Sequence, residues 1–253
     1  MTSAARPTPD RLRLTNIALA ILHAAQAVVV VALANDFALP VTATFMDGPP
    51  GGPPPALSSL FEVRVAWGVA AFLLMSAAAH ATIALPGVNG WYRRHLAQGR
   101  NYARWIEYSF SSTVMIVLIA MITGITDVAA LVGLAGANAA MILFGLIQER
   151  YETPGAPSWL PFGLGSLIGV LPWVAIGVYL FAPGVDASPP GFVYAIYVSL
   201  FAFFNVFALN MVLQYRARGR WADYLFGERV YMLLSLTAKS ALAWQVFAST
   251  LAV

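Results

Sequence analysis

The chain has 253 residues, of which 60% are hydrophobic and only 10% charged, and its mean hydropathy is +0.74. A soluble domain carries about 25% charged residues, so the composition excludes a soluble globular protein and points to one embedded in a membrane. The net charge of +3 calls for no nucleic-acid partner, and the lack of cysteine excludes disulfides, thiolate nucleophiles and cysteine-ligated metals.

Seven apolar stretches are each long enough to cross ~30 Å of hydrocarbon as a helix. The first, Leu14–Ala34, contains Asn16, His23 and Gln26. Arg11, Arg13 and the closing Ala32-Leu33-Ala34 resemble a signal peptide, but the length and polar residues of the stretch favour a retained helix. The long connection Asn35–Arg64 holds an extended-looking Ala38–Phe45 and the turn-rich Gly48–Pro55. It reads as a short β-hairpin at the membrane surface. The second span is Val65–Leu85, with Ser76 and His80 one turn apart; a polar His95–Gly99 connection follows, placing His95 in a loop. Next come Trp105–Ile125, Val128–Ile147 and Leu160–Ala182, the last two separated by the breaker-rich Pro154–Pro157. After Pro183–Pro190 lies Gly191–Leu213, then the polar Arg216–Gly219, then the seventh span, Val230–Ala252. Barrel strands would be shorter and would alternate polar with apolar residues. The expected fold is therefore all-α, one seven-helix transmembrane domain over 1–253.

Arginine placement sets the orientation. With the N-terminus inside, the tail and the second, fourth and sixth connections hold Arg6, Arg11, Arg13, Arg93, Arg94, Arg100, Arg104, Arg150, Arg216, Arg218, Arg220 and Arg229. Only Arg64 falls outside. The positive-inside rule thus predicts a cell-membrane protein with a cytoplasmic N-terminus and an extracellular C-terminus. The basic face is read as a contact for anionic lipids, or for an acidic cytoplasmic partner.

Within the seven spans two residues are formally charged, Glu107 and Lys239. Each costs at least ~2.5–3.5 kcal/mol at a helix centre, so they are expected to face inward and pair. A plain structural ion pair is one reading. Against it, the chain uses thirteen arginines and one lysine. Arginine makes the better structural pair, whereas a primary amine is what Schiff-base chemistry needs. Lys239 also lies midway along its span, too deep to snorkel. Ser235 is one turn before it, and Ser111 one turn after Glu107. With Ser76, His80, Asn16 and His23 they predict a polar cavity between the first, second, third and seventh spans, suited to proton handling. A metal on His23, His80 and Glu107 lacks any spacing motif and is not expected.

Four segments carry a closer resemblance: LSLTAKSALAWQVF at Leu234–Phe247, RWIEYSFSSTVMIVLIA at Arg104–Ala120, ALANDFALP at Ala32–Pro40 and NAAMILFG at Asn138–Gly145. They resemble the heliorhodopsins, microbial-rhodopsin-like proteins of inverted orientation, over essentially the whole chain. The resemblance implies covalent all-trans retinal on Lys239 as a protonated Schiff base, Glu107 as counterion and Ser235 bonded nearby. It places His23 and His80 in the polar cavity, and it implies a homodimer with the first loop near the contact. It further implies a slow photocycle and a signalling or regulatory role, with no enzymatic activity expected.

A retinal chain needs an apolar slot between the third to seventh spans. The candidates are Ser112, Met115, Ile116, Met141, Gly145, Trp173, Phe204, Phe207, Met211 and Trp244. Pumping is disfavoured. The third span of outward proton pumps resembles Arg-x-x-Asp-x-x-x-Thr-x-x-x-x-x-x-Asp, and here those places hold Arg104, Glu107, Ser111 and Leu118. Ser235 also stands where pumps carry an aspartate. The expected function is light sensing. A light-driven proton pump or channel and a non-photoactive scaffold or transporter are the alternatives.

Overall fold

The structure is a computed structural model that describes residues 9–52, 55–182 and 189–251. Arg6, the Pro53-Pro54 part of the glycine- and proline-rich turn, most of the Pro183–Pro190 connection and Ala252 lie outside the described residues.

Among these residues there are eight helices and one two-stranded sheet. Helix α1 (Pro9–Leu33) is followed by strands β1 (Ala38–Thr44) and β2 (Leu57–Arg64), then α2 (Val65–Ala84) and α3 (Pro86–Ala97). Helices α4 (Tyr102–Ile122), α5 (Val128–Tyr151), α6 (Leu160–Phe181), α7 (Gly191–Arg216) and α8 (Tyr224–Val246) complete the chain, α8 ending in a π-helical turn at Phe247–Leu251. All but α3 are long and apolar enough to span a membrane. The expected all-α membrane fold with a short hairpin is what the chain adopts.

Two details differ from the sequence reading. His95 is not in a loop. Leu85 is extended and Pro86 opens α3, where its missing N–H costs nothing. His95 sits in the last turn, its Nδ1 3.0 Å from the Trp91 carbonyl. The spanning helices also overrun the hydropathy limits at one end. Asn101 caps α4 by accepting from Arg104 N at 3.1 Å, and Asp223 caps α8 by accepting from Leu225 N at 3.0 Å. Helix α5 runs on through Glu149 and Arg150 to Tyr151.

The bundle has two distinct ends. At the arginine-rich end, Arg93 pairs with Asp10 at 2.8 Å, Arg13 donates to the Ala84 carbonyl, and Gly155 N donates to the Tyr215 carbonyl. At the hairpin end, β1 and β2 pair antiparallel from Ala38↔Arg64 to Thr44↔Leu57, with an irregularity at Val41/Thr42. There Thr42 N turns to the Thr126 carbonyl, and its hydroxyl lies 3.0 Å from that of Thr126. The hairpin is thereby fastened to the loop before α5. Asn35 N donates to the Leu251 carbonyl, tying the end of α1 to the end of the last helix.

The main core lies between these ends, with Val69, Phe72, Leu73, Ile116, Ile119, Ile176, Leu200 and Leu242 fully buried. Outward faces are apolar too, as at Leu167, Val170, Leu171 and Val174 on α6, which a lipid environment requires. Pro172 stands inside α6 and leaves the Ile168 carbonyl without its helical donor.

Candidate functional site

Helices α4 and α8 bring Glu107 and Lys239 together in the bundle interior. Lys239 Nζ donates to Glu107 Oε1 at 3.0 Å and to Ser235 Oγ at 2.8 Å. The pair is almost wholly enclosed, with side-chain exposures of 4% and 9%. At that depth the two charges must satisfy each other. Ser76 donates to the same Glu107 oxygen at 2.6 Å, and the Tyr108 ring lies 4.9 Å from Nζ. Helical spacing explains the grouping: Ser235 and Lys239 are one turn apart on α8, as are Ser76 and His80 on α2.

Behind the carboxylate lies the polar set from α1 and α2. His80 Nδ1 is 2.6 Å from Asn16 Oδ1, and Asn16 Nδ2 donates to the Leu12 carbonyl. The His23 and His80 rings stack at 5.8 Å and 6°. Both His23 nitrogens are buried with no hydrogen-bond partner among the described residues, although neutral imidazole offers one donor and one acceptor. Ser111 is fully buried one turn past Glu107.

On the other side of Nζ opens an apolar cavity of about 230 Å³ between α4, α5, α6, α7 and α8. Of the sequence candidates, Ser112, Met115, Met141, Gly145, Trp173, Phe204, Phe207 and Met211 line it with Ser235 and Lys239. Ile116 and Trp244 do not. Ile116 is packed in the main core, and Trp244 faces a groove beside α1, its indole donating to Gln26 Oε1 at 3.0 Å. The sequence reading missed Trp105, Tyr108, Tyr231, Phe201, Gly165 and Gly169, which also line the cavity. The stripe 105/108/112/115 on α4 and the small-xxx-small pair on α6 were the available signals. Three glycines in the walls, Gly145, Gly165 and Gly169, let Trp105, Phe144 and Met141 pack on bare backbone. A Cβ at Gly145 would come 2.4 Å from the Trp105 ring, and one at Gly169 2.2 Å from Met141 Sδ.

A second buried ionic group, absent from the sequence reading, lies between this cavity and the arginine-rich end. Arg104 pairs with Glu149 at 2.5 Å and also with Glu228, all three side chains at most 4% exposed. Glu149 further accepts from Tyr224 OH at 2.9 Å, and from Asn101 N and Trp105 Nε1, each at 2.7 Å. Glu228 accepts from Asn101 Nδ2 at 2.7 Å. The guanidinium sits in the corner formed by the Trp105 and Tyr231 rings, at 4.5 and 4.0 Å from their centroids, the rings themselves meeting edge-on.

A seven-span bundle with its one lysine buried between a carboxylate and an apolar slot defines a rhodopsin-like membrane protein. A family model described as Heliorhodopsin matches residues 12–251. The chain thus belongs to the heliorhodopsin family and is a microbial-rhodopsin-like, light-sensing protein. No curated protein matches it.

Proposed function

We propose that this protein carries all-trans retinal on Lys239 and works as a membrane light sensor that moves no net ions. One observation carries the reading: the lone side-chain amine lines an apolar cavity with a carboxylate 3.0 Å away. The residues fit the group. Ser235 and Lys239 supply the polar groups, while Met115, Trp173, Phe204 and Phe207 give apolar walls, in which Gly145, Gly165 and Gly169 leave bare backbone against Trp105, Phe144 and Met141. Held on Nζ as a protonated Schiff base, with one water released on attachment, retinal would supply absorption of visible light and isomerisation.

The chain's own residues do the rest. Glu107 balances the positive charge at Nζ, which burial would otherwise discourage. Ser76 and Ser235 fix the pair by hydrogen bonding. The Tyr108 face lies against Nζ, and the cavity walls orient the occupant and exclude water. His23, with two free nitrogens, and His80, oriented by Asn16, form a reserve for a proton moved off the centre. Pumping lacks a relay, because Leu118 and Ser235 occupy the places where outward pumps carry carboxylates. Glu149 and Glu228 are buried as well, but Arg104 engages both.

Arginine distribution supports a cytoplasmic N-terminus and arginine-rich end. A homodimer is supported by the exposed Phe45, Met46, Leu57, Leu60 and Phe61 on and beside the hairpin. A cytoplasmic signalling partner would meet the basic face. Flash spectroscopy of retinal-reconstituted protein with parallel pH recording tests the proposal. A visible band lost in Lys239→Ala is expected, with no light-driven pH change in vesicles. A band that survives Lys239→Ala rejects the attachment, and a sustained, protonophore-sensitive pH change favours a pump or channel.

A further inference from the structure

Trp105 belongs to two structures at once. Its ring lines the Lys239 cavity and packs on the bare backbone of Gly145. Its indole N–H reaches the other way, donating to Glu149 Oε2 at 2.7 Å. The ring is buried between the Gly145 backbone, the Arg104 guanidinium and the edge of Tyr231, with one side open to the cavity, so the cavity's contents and this hydrogen bond act on the same side chain.

Glu149 is the junction of the buried ionic group. Its four donors come from α4, the residue that caps it and α8: Arg104 and Trp105 on α4, the Asn101 backbone just before it, and Tyr224 on α8. Asn101 in turn caps α4 and bonds Glu228, so the first turns of α4 and α8 and the last turn of α5 meet at this carboxylate. Two carboxylates share one guanidinium here, which makes every neutral donor to Glu149 expensive to lose. The Trp105 ring also lies 4.5 Å from the Arg104 guanidinium.

We infer that Trp105 is the joint through which the cavity controls the arginine-rich end of the bundle. Displacement of its ring by the cavity's occupant withdraws the indole N–H from Glu149 and loosens Arg104, Glu228 and the helix ends they hold. This rests on the retinal reading for the light-driven step, but not for the role of Trp105 in holding the cluster. The output of the sensor would then be a loosening of the first turns of α4 and α8, next to Arg100 and Arg229.

Hydrogen exchange at the Asn101 amide, which Glu149 accepts, reads the joint directly. In the dark, Trp105→Phe keeps an aromatic, though smaller, ring and loses the donor. Exchange there should rise roughly ten-fold, the weight of one hydrogen bond to a charged group. Gly145→Ala keeps the donor but pushes on the ring, and should raise exchange at the same amide. It covers the case in which Trp105→Phe folds poorly. Illumination should speed exchange in the retinal-bound wild type and add nothing in Trp105→Phe. Dark exchange unchanged in both variants, or an equal light response with and without the indole N–H, would overturn the joint. Failure of the wild type to form a visible band would instead reject the retinal reading, and the dark comparison would still decide the role of Trp105.

Discussion

Helices α4 and α8 each carry two buried ionic residues, three positions apart on α4 and eleven on α8. They build two different centres. At Glu107–Lys239 one acid meets one amine, and the amine's far side opens on a cavity. At Arg104–Glu149–Glu228 one guanidinium meets two acids, closed over by Trp105 and Tyr231. The cation differs for a physical reason. A guanidinium stays charged and presents a fork that spans two carboxylates, which suits fastening. An amine can give up its proton and form a covalent bond, which suits chemistry. Depth alone does not separate the two roles; the number of partners and the open side do.

The largest effect expected at the fastening centre is on stability. Arg104→Ala strands two buried carboxylates and should cost about 3–5 kcal/mol, measured by unfolding in detergent. The folded fraction should keep its visible band. Arg104→Lys should recover only part of the loss, since an ammonium cannot reproduce the fork. Full recovery would erase the distinction between the two centres.

At the chemical centre the expected effect is on colour. Glu107→Gln removes the charge facing Nζ, so the band should move to shorter wavelength as the Schiff base loses its proton, followed by absorption across pH. An unchanged spectrum would remove Glu107 from the counterion role. Smallest should be Ser235→Ala, which deletes one hydrogen bond to the charged Nζ of about 1.5–3 kcal/mol. Its band shift should be well below that of Glu107→Gln, and a larger one would place Ser235, not Glu107, as the stronger control on the centre.

The chemical centre was legible in the sequence because an acid and an amine inside long apolar runs have no solvent to explain them. The fastening centre was not. Glu149 and Glu228 sit where hydropathy tapers, each beside an arginine, and in such flanks a charge ordinarily faces water. Only the packing of α4, α5 and α8 shows them buried. Helix α3 escaped because twelve residues with Arg93 and Arg94 resemble a polar connection. Trp244 was placed on the wrong side of the Lys239 helix. At about 100° per residue, its nine-residue offset from Ser235 carries it to the opposite face. The hairpin was readable from its extended run and turn residues, but not its attachment to Thr126, which is a contact between distant segments.

Pro172 gives the cavity a gradient of stiffness. The wall at Lys239 is stitched by Glu107, Ser235 and Ser76, whereas α6 lacks a backbone rung beside Gly169 and Trp173 and turns Val170 and Leu171 to lipid. The soft wall belongs to α6, which contributes nothing to the hydrogen bonds of the Glu107–Lys239 pair. Chromophore analogues enlarged where they meet α6 should therefore be accommodated by bending of that helix, while those altered near the aldehyde meet a rigid frame. Selectivity along the slot would then follow from mechanics rather than from any single contact.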